Sequence, residues 1–438
     1  MLISAARAAA FEILMRVEAT DAYASELLHS AKFSKLSSAD HGLLTALVMG
    51  VLRWRGALDE EIARHIRQPL AKLDIEVLSA LRLGAYQLLF LDRIPARAAI
   101  NESVELVKRA RKTSAAGMIN AVLRKMSSHE PDSTAKEKQS NAVSYPEWLI
   151  KRWDRNYGKT TTQHICEYGQ AEPQTAVRLG DSHSPQGTTE LPNVQFGPGH
   201  LLARSAIVKA GDITRTPEFR EHRLVVQDEA SQLVAVLVAG GDNILDCCAA
   251  PGGKTRILAQ ENPDATVIAV ELHPHRAALL RKLVAEPNVH IVSADACSMP
   301  FCTAFDRVLV DVPCSGTGTL ARNPEIKWRL KPEDLLRLQQ YQIGILQSAL
   351  QQTVPGGQII YSTCSLEPEE NEQVVEKALA ENSGFHVLDL RESMHELRRS
   401  GELAWPDIDS LLSGPYLRTI PGVHPCDGFF AALIARQS

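Results

Sequence analysis

Aromatic residues are scarce in this chain, at 5% of 438 residues. A core must therefore be built from Leu, Val, Ile and Ala. No apolar run reaches the roughly 18 residues that a membrane-spanning helix needs. The opening stretch MLISAARAAAFEILMRVEA carries Arg7, Glu12, Arg16 and Glu18 where a signal peptide would be apolar, so a cytoplasmic location is the default expectation. The eight cysteines, Cys166, Cys247, Cys248, Cys297, Cys302, Cys314, Cys364 and Cys426, contain no CxxC pair and no dense, even spacing. That argues against a disulfide framework and against structural zinc; no metal is expected, and most of these residues are read as reduced core thiols. Glycine-rich nucleotide loops are missing too. There is no GxGxxG, and Gly253-Lys254-Thr255 would need a glycine at position 248 to complete a Walker A motif, where Cys248 stands. ATPase and dehydrogenase readings lose most of their support.

What is present begins with length, which implies two or three domains. The formal net charge is -5, but residues 1–129 hold 18 Lys and Arg against 13 Asp and Glu, leaving the rest of the chain at -10. Within the basic part, Lys108, Arg109, Arg111 and Lys112 form a local run suited to a phosphate backbone, although such runs more often make a solvated helix face. Apolar residues recur at helical spacing through residues 4–18, 38–53, 58–67, 75–90, 100–111 and 115–125, and Pro69 and Pro95 fall between these segments. The pattern predicts an all-α domain over 1–128. Residues 129–144 have almost nothing to bury and read as a linker. Residues 145–223 read as a small α/β module, with helices around Trp148 and Trp153 and over 161–169, then a strand AVRL and a Pro, Gly and Ser-rich loop.

From residue 224 to 438, helices over 275–284, 332–353 and 369–380 alternate with strands over 244–247, 267–270, 289–292, 308–310 and 359–362, and a late strand covers 429–434. This alternation predicts a mostly parallel, doubly wound Rossmann-like sheet, whose ligands bind beyond the carboxyl ends of the strands. After the first strand comes Asp246-Cys-Cys-Ala-Ala-Pro-Gly-Gly-Lys-Thr255, where Gly252 and Gly253 permit a sharp turn into a helix whose amides suit a ligand carboxylate. Glu271, Asp295 and Asp311 follow or end the next three strands. Each alone also serves as a cap or surface charge; three in succession suggest a ribose, an amine and a reactive centre. Two further segments, Asp311-Val-Pro-Cys-Ser-Gly-Thr-Gly318 and Tyr361-Ser-Thr-Cys-Ser-Leu-Glu-Pro368, each place a cysteine a few residues beyond the expected strand. Cys314 and Cys364 are thereby expected over the same edge of the sheet, and the turn formers Pro313, Gly316 and Gly318 weigh against a purely core role.

CAAPGGKT, DVPCSGTG followed by LARNPEIKW, and YSTCSLEPEENE resemble the signature segments of the RNA cytosine-C5 methyltransferases. LRLGAYQLLFLDRIPARAAINESVELVKRA resembles the RNA-binding NusB-like domain, a pairing similar to the RsmB/Sun branch that methylates small-subunit ribosomal RNA in bacteria. The resemblance implies a multidomain protein: an all-α NusB-like domain, a small central α/β module, and an α/β methyltransferase domain using S-adenosylmethionine. It implies that Cys248, Ala249, Ala250, Pro251, Gly252, Gly253 and Lys254 form the cofactor loop, with Glu271 at the ribose, Asp295 on the adenine side, and Asp311 near the methionine portion and the target base. It makes Cys364 the nucleophile and Cys314 the residue that assists product release. Cys247, where Leu is usual, and Glu271, where Asp is common, are the two departures.

The chemistry accounts for these residue types. C5 of cytosine is a poor nucleophile until a thiolate adds at C6, and an unperturbed thiol titrates near 8.5, so Lys254, Lys327 or Arg322 is expected to favour the thiolate of Cys364. The target base must be unpaired or flipped out, and Asn323 to Trp328 are expected to border the RNA channel, with Trp328 as apt to pack a loop as to stack a base. The implied partner is 16S ribosomal RNA or a small-subunit assembly intermediate. Transfer RNA as substrate, and a non-catalytic RNA-binding assembly factor, stay open as alternatives.

Overall fold

A computed structural model describes residues 3–128, 144–179, 191, 193–221, 224–238, 240–302 and 304–438. The expected linker, apart from Ser144, and much of the Pro, Gly and Ser-rich loop lie outside the described residues. The chain forms two compact units. The first comprises Met1–Glu172 with Leu320–Arg329; the second comprises Pro173–Thr319 with Leu330–Ser438.

The first unit is helical. Its main elements are α1 (Ala5–Ala19), α2 (Ser38–Arg64), α3 (Ile75–Phe90), α4 (Ala96–Arg109), α5 (Ala116–Ser128), α6 (Glu147–Tyr157) and α7 (Lys159–Gln170). Leu44, Leu47, Val51, Leu81, Leu83, Val107 and Leu123 meet in one core, each burial contributing about 1.5–3 kcal/mol relative to exposure. Pro95 stands at the start of α4, where its fixed φ suits a helix entrance. The basic run is partly neutralised: Lys108 pairs with Glu105 at 2.7 Å and Lys112 with Asp74 at 2.9 Å.

Two sequence expectations are corrected in this unit. The segments over 38–53 and 58–67 are a single helix, α2. Between them Gly56 marks a close approach, because a Cβ there would lie 3.0 Å from Trp328 and 3.1 Å from Ser144 Oγ. The second concerns Asn323 to Trp328, expected to border a channel, with loop packing as the equal alternative for Trp328. Lys327 Nζ donates to Arg53 O at 2.9 Å, Trp328 Nε1 to Leu52 O at 2.7 Å, and Arg329 to Val17 O at 2.6 Å, while Glu325 accepts from Ala24 N at 2.7 Å. These side chains are engaged with the backbone of the helical unit. Lys327 is fully buried, and desolvation lowers its pKa to about 7.

The second unit carries two sheets. A small antiparallel one, in the order β2-β3-β1-β4, is made from β1 (Ala176–Arg178), β2 (Gln195–Pro198), β3 (Ser205–Ala210) and β4 (Val225–Val226). The helices and strands expected as one module over 145–223 therefore divide between the two units, α6 and α7 going to the first. The large sheet contains β5 (Asn243–Asp246), β6 (Thr266–Glu271), β7 (Val289–Ser293), β8 (Phe305–Asp311), β9 (Thr353–Thr363), β10 (Phe385–Leu388), β11 (Leu412–Ser413), β12 (Tyr416–Thr419) and β13 (Phe429–Arg436). Its order is β11-β12-β13-β9-β8-β5-β6-β7, with β10 also paired to β13. Strands β5 to β9 are parallel, and β13 joins β9 antiparallel.

Helices cover both faces of this sheet, so consecutive strand residues enter different cores. Leu309 and Ile360 pack on one face with Leu233 and Leu258. Val308, Val310 and Tyr361 pack on the other with Ile345 and Leu346. With both faces filled, ligands are left the carboxyl edge of the parallel strands.

Candidate active site

The first turn at that edge follows β5, which ends in the buried Asp246. Thr255 Oγ1 donates to Asp246 Oδ2 at 2.7 Å, yet burial still raises the carboxyl's pKa to about 6. The chain passes through Cys247 and Cys248 to Gly252, whose φ of 114° is a conformation that glycine adopts without a Cβ penalty. Helix α8 (Gly253–Glu261) begins there and places Lys254 in its first turn. Burial pushes the thiols of Cys247 and Cys248 well above the ordinary value, leaving both as neutral packing groups. Among the eight free cysteines, Cys166, Cys247 and Cys426 are fully buried, Cys302 is exposed, and the rest are intermediate. Fewer are core residues than composition suggested.

Glu271 ends β6 with its side chain buried, and Oε1 accepts from His273 N at 2.9 Å. Asp295 lies two residues beyond β7; it is exposed, and Oδ1 accepts from Cys297 N at 2.9 Å. Asp311 ends β8 opposite Ser362 of β9. Its two oxygens have different partners: Ser362 Oγ donates to Oδ1 at 2.8 Å, and Lys254 Nζ pairs with Oδ2 at 2.8 Å. The Lys254 ammonium also sits 5.1 Å from the centre of the Phe429 ring. Burial disfavours its charge, but Asp311 and Cys364 favour it more strongly, and the net effect raises its pKa. Of the cations considered for Cys364, Lys254 is the one whose charge couples to it within this unit; Lys327 is committed to Arg53 O.

Strand β9 extends to Thr363, one residue farther than its sequence pattern indicated, so Cys364 follows the strand directly. Cys314 lies three residues past β8. The parallel register brings the two together, with Sγ atoms 3.3 Å apart. That is hydrogen-bond range, far from the roughly 2.05 Å of a disulfide. The thiol of Cys314 is raised well above its usual pKa, first by the hydrogen bond to Cys364, then by burial and by the nearby charges of Cys364 and Glu370. The loop bearing Cys314 is pinned by close backbone approach: Gly318 N donates to Cys364 O and Gly428 N to Gly318 O, both at 2.9 Å, and a Cβ on Gly318 would lie 2.1 Å from Gly428 O.

Two groups in this site were given no role by the sequence reading. Ser362 was legible only as a strand residue, and Glu370 only as one acid in an acidic stretch; neither had a signal of its own before the register was known.

Residues 234–435 match the family described as 16S rRNA methyltransferase RsmB/F, and residues 4–128 match the NusB family. The chain belongs to the RsmB/F methyltransferase family. It is 31% identical over 445 residues to the ribosomal RNA small subunit methyltransferase B of Vibrio cholerae, covering 98% of this chain and 97% of that one. The protein of the same name from Pseudomonas putida is 34% identical over 376 residues, 82% of this chain and 86% of its own. The crystal structure of PH0851 shares the fold across 99% of both chains, with a TM-score of 0.79 at 22% identity.

As an RsmB/F member, the chain is a methyltransferase whose methyl donor is S-adenosylmethionine. The donor set at the sheet edge fits that molecule. The edge offers a carboxylate at Glu271 for a ribose diol, a second at Asp295, a helix amino end at Gly253, and an opposed cation and anion at Lys254 and Asp311 for the charged ends of an amino acid. Among the described residues there is no cluster of metal-binding side chains, and no helix long and apolar enough to cross a membrane.

Proposed function

We propose that this chain methylates C5 of a cytosine in 16S ribosomal RNA, with Cys364 as the nucleophile, Cys314 as the group that completes turnover, and Asp311 as the partner of the base. The observation that carries the reading is the pair of thiols 3.3 Å apart beside the Lys254–Asp311 ion pair. Glu271, Asp295 and the loop from Cys248 to Lys254 hold the cofactor. S-adenosylmethionine supplies the methyl group from its sulfonium. The relatives' names, as small-subunit ribosomal RNA methyltransferases, support the choice of RNA.

Cys364 forms a bond from sulfur to C6 of the flipped base, which makes C5 electron-rich enough to accept the methyl group. Asp311, tied to Lys254 and Ser362, acts as acceptor for a hydrogen of the exocyclic amino group of the adduct. Once Cys364 is bonded to carbon it no longer accepts the Cys314 proton as a thiolate does. The largest cause of the raised Cys314 pKa then disappears. Cys314 then releases its proton to solvent and, as thiolate, directly or through a water, takes the C5 proton, and the electrons left at C5 expel Cys364 as thiolate. Each cycle forms and breaks one sulfur–carbon bond.

The test is methyl transfer from labelled S-adenosylmethionine to naked 16S RNA, to assembled small subunits and to transfer RNA, followed by digestion to nucleosides. Label in 5-methylcytidine from 16S RNA or subunits is expected. Label confined to transfer RNA defeats the ribosomal substrate, and label on any other nucleoside defeats the chemistry.

A further inference from the structure

Glu370 lies outside the groups that would touch base or cofactor, and it is fully buried. Its carboxylate gathers hydrogen bonds from both cysteine loops. Ser315 N donates to Oε1 at 2.8 Å, and Gln342 Nε2 donates to the same oxygen at 2.9 Å while also reaching Pro313 O at 3.0 Å. The hydroxyls of Ser315 and Ser365 both donate to Oε2. Ser315 and Ser365 are the residues immediately after Cys314 and Cys364. One carboxylate therefore binds the same position of both loops, and the two hydroxyls also lie 3.0 Å from each other.

We infer that Glu370 is a positioning residue for methyl transfer, a buried anionic clamp that fixes the two cysteine loops at the separation turnover requires. The inference rests on the proposed roles of Cys314 and Cys364. Burying a carboxylate carries a large desolvation cost unless its lone pairs are filled. Here four donors fill them, and burial still raises its pKa. The proximity of that charge also helps to keep Cys314 protonated. An apolar or amide side chain would hold the loops with less cost but would lack an acceptor that takes two hydroxyls and an amide together. In Glu370→Gln, one end of the side chain becomes a donor facing existing donors, so at least one loop is released.

The test uses the full-length protein and total RNA from cells lacking it. Glu370→Gln is expected to lower kcat by about 10- to 100-fold, the effect of losing a hydrogen bond to a charged group. KM for S-adenosylmethionine and the equilibrium binding of that cofactor should stay within about twofold, a split that general unfolding does not produce. In a Cys314→Ser background, formation of the protein–RNA adduct should slow by a similar factor. Unchanged kcat and adduct formation, or a loss wholly in cofactor binding, overturns the inference. If thermal melting shows that Glu370→Gln does not fold, Ser315→Ala and Ser365→Ala take its place. Each should reduce kcat, and the double variant should lose less than the product of the two, because both act through one oxygen. Multiplicative losses, or none, also overturn the clamp. A Cys364→Ser protein that retains turnover instead removes the cysteine assignment itself, a separate outcome from a failed Glu370.

Discussion

Lys327 offers a quantitative check on the inserted segment Leu320–Arg329. Its ammonium is buried, makes one hydrogen bond to Arg53 O, and lies 3.8 Å from the centre of the Tyr145 ring. In the folded protein its pKa falls to about 7, with desolvation as the largest cause. In the unfolded chain a lysine titrates near 10.4. Between those values the unfolded state holds more protons, so stability rises with pH across the window, and the penalty is largest below about pH 7. The difference of roughly three units corresponds to about 4–5 kcal/mol at pH 6. Lys327→Met removes the buried charge but leaves Arg53 O without that donor, a cost of about 1–3 kcal/mol. The variant should therefore exceed the parent at pH 6 and lose most of that advantage by pH 9, with the stability difference moving by about 2–3 kcal/mol. Denaturant unfolding of both proteins at several pH values measures it. A difference that does not vary with pH would refute the buried-charge reasoning.

Three further substitutions probe the catalytic unit. Lys254→Met removes the partner of Asp311 and should lower kcat/KM by about 100-fold, the effect of stranding one member of a partly buried pair; steady-state kinetics with labelled cofactor checks it, and near-parental turnover would contradict the site geometry. Gly318→Ala forces a methyl group to within 2.1 Å of Gly428 O; it should destabilise the protein by about 1–3 kcal/mol and abolish turnover, while an unchanged melting temperature and rate would disprove the close approach. Thr255→Val leaves Asp246 without its hydroxyl donor at a cost of about 1–3 kcal/mol. Because the Thr255 hydroxyl favours the charged form of Asp246, whose pKa is raised to about 6, the loss grows as pH rises through and above about 6; equal stability of Thr255→Val and parent at pH 8 would count against it.

Much of this architecture was legible before any coordinates. The six strands of the catalytic sheet anticipated from apolar runs are all present, because a doubly covered parallel sheet leaves a simple mark of short Val- and Ile-rich segments separated by helices. The small strands β10 to β12 were not anticipated, being two to four residues long and lacking a periodic signal. Candidate site residues were found where a local motif carried them, as with Gly252, Lys254, Cys314 and Cys364. Ser362 and Glu370 escaped because their meaning depends on a register and on hydrogen bonds spanning about 50 residues of chain. The helix break imagined between Arg53 and Leu58 failed for a related reason: Gly56 accommodates a distant Trp328, not a turn. Likewise the sequence left Lys327 among the cations for Cys364 and Trp328 open between packing a loop and stacking a base, while their partners are carbonyl groups more than 270 residues away in the chain.

The most direct measurement is to mix Cys314→Ser and Cys364→Ser proteins separately with substrate RNA and S-adenosylmethionine, then separate the products under denaturing conditions. Cys314→Ser should accumulate a covalent protein–RNA species whose modified residue is Cys364, and Cys364→Ser should yield neither that species nor methylated RNA. Methylation by Cys364→Ser, or a covalent species attached through Cys314, would contradict the account.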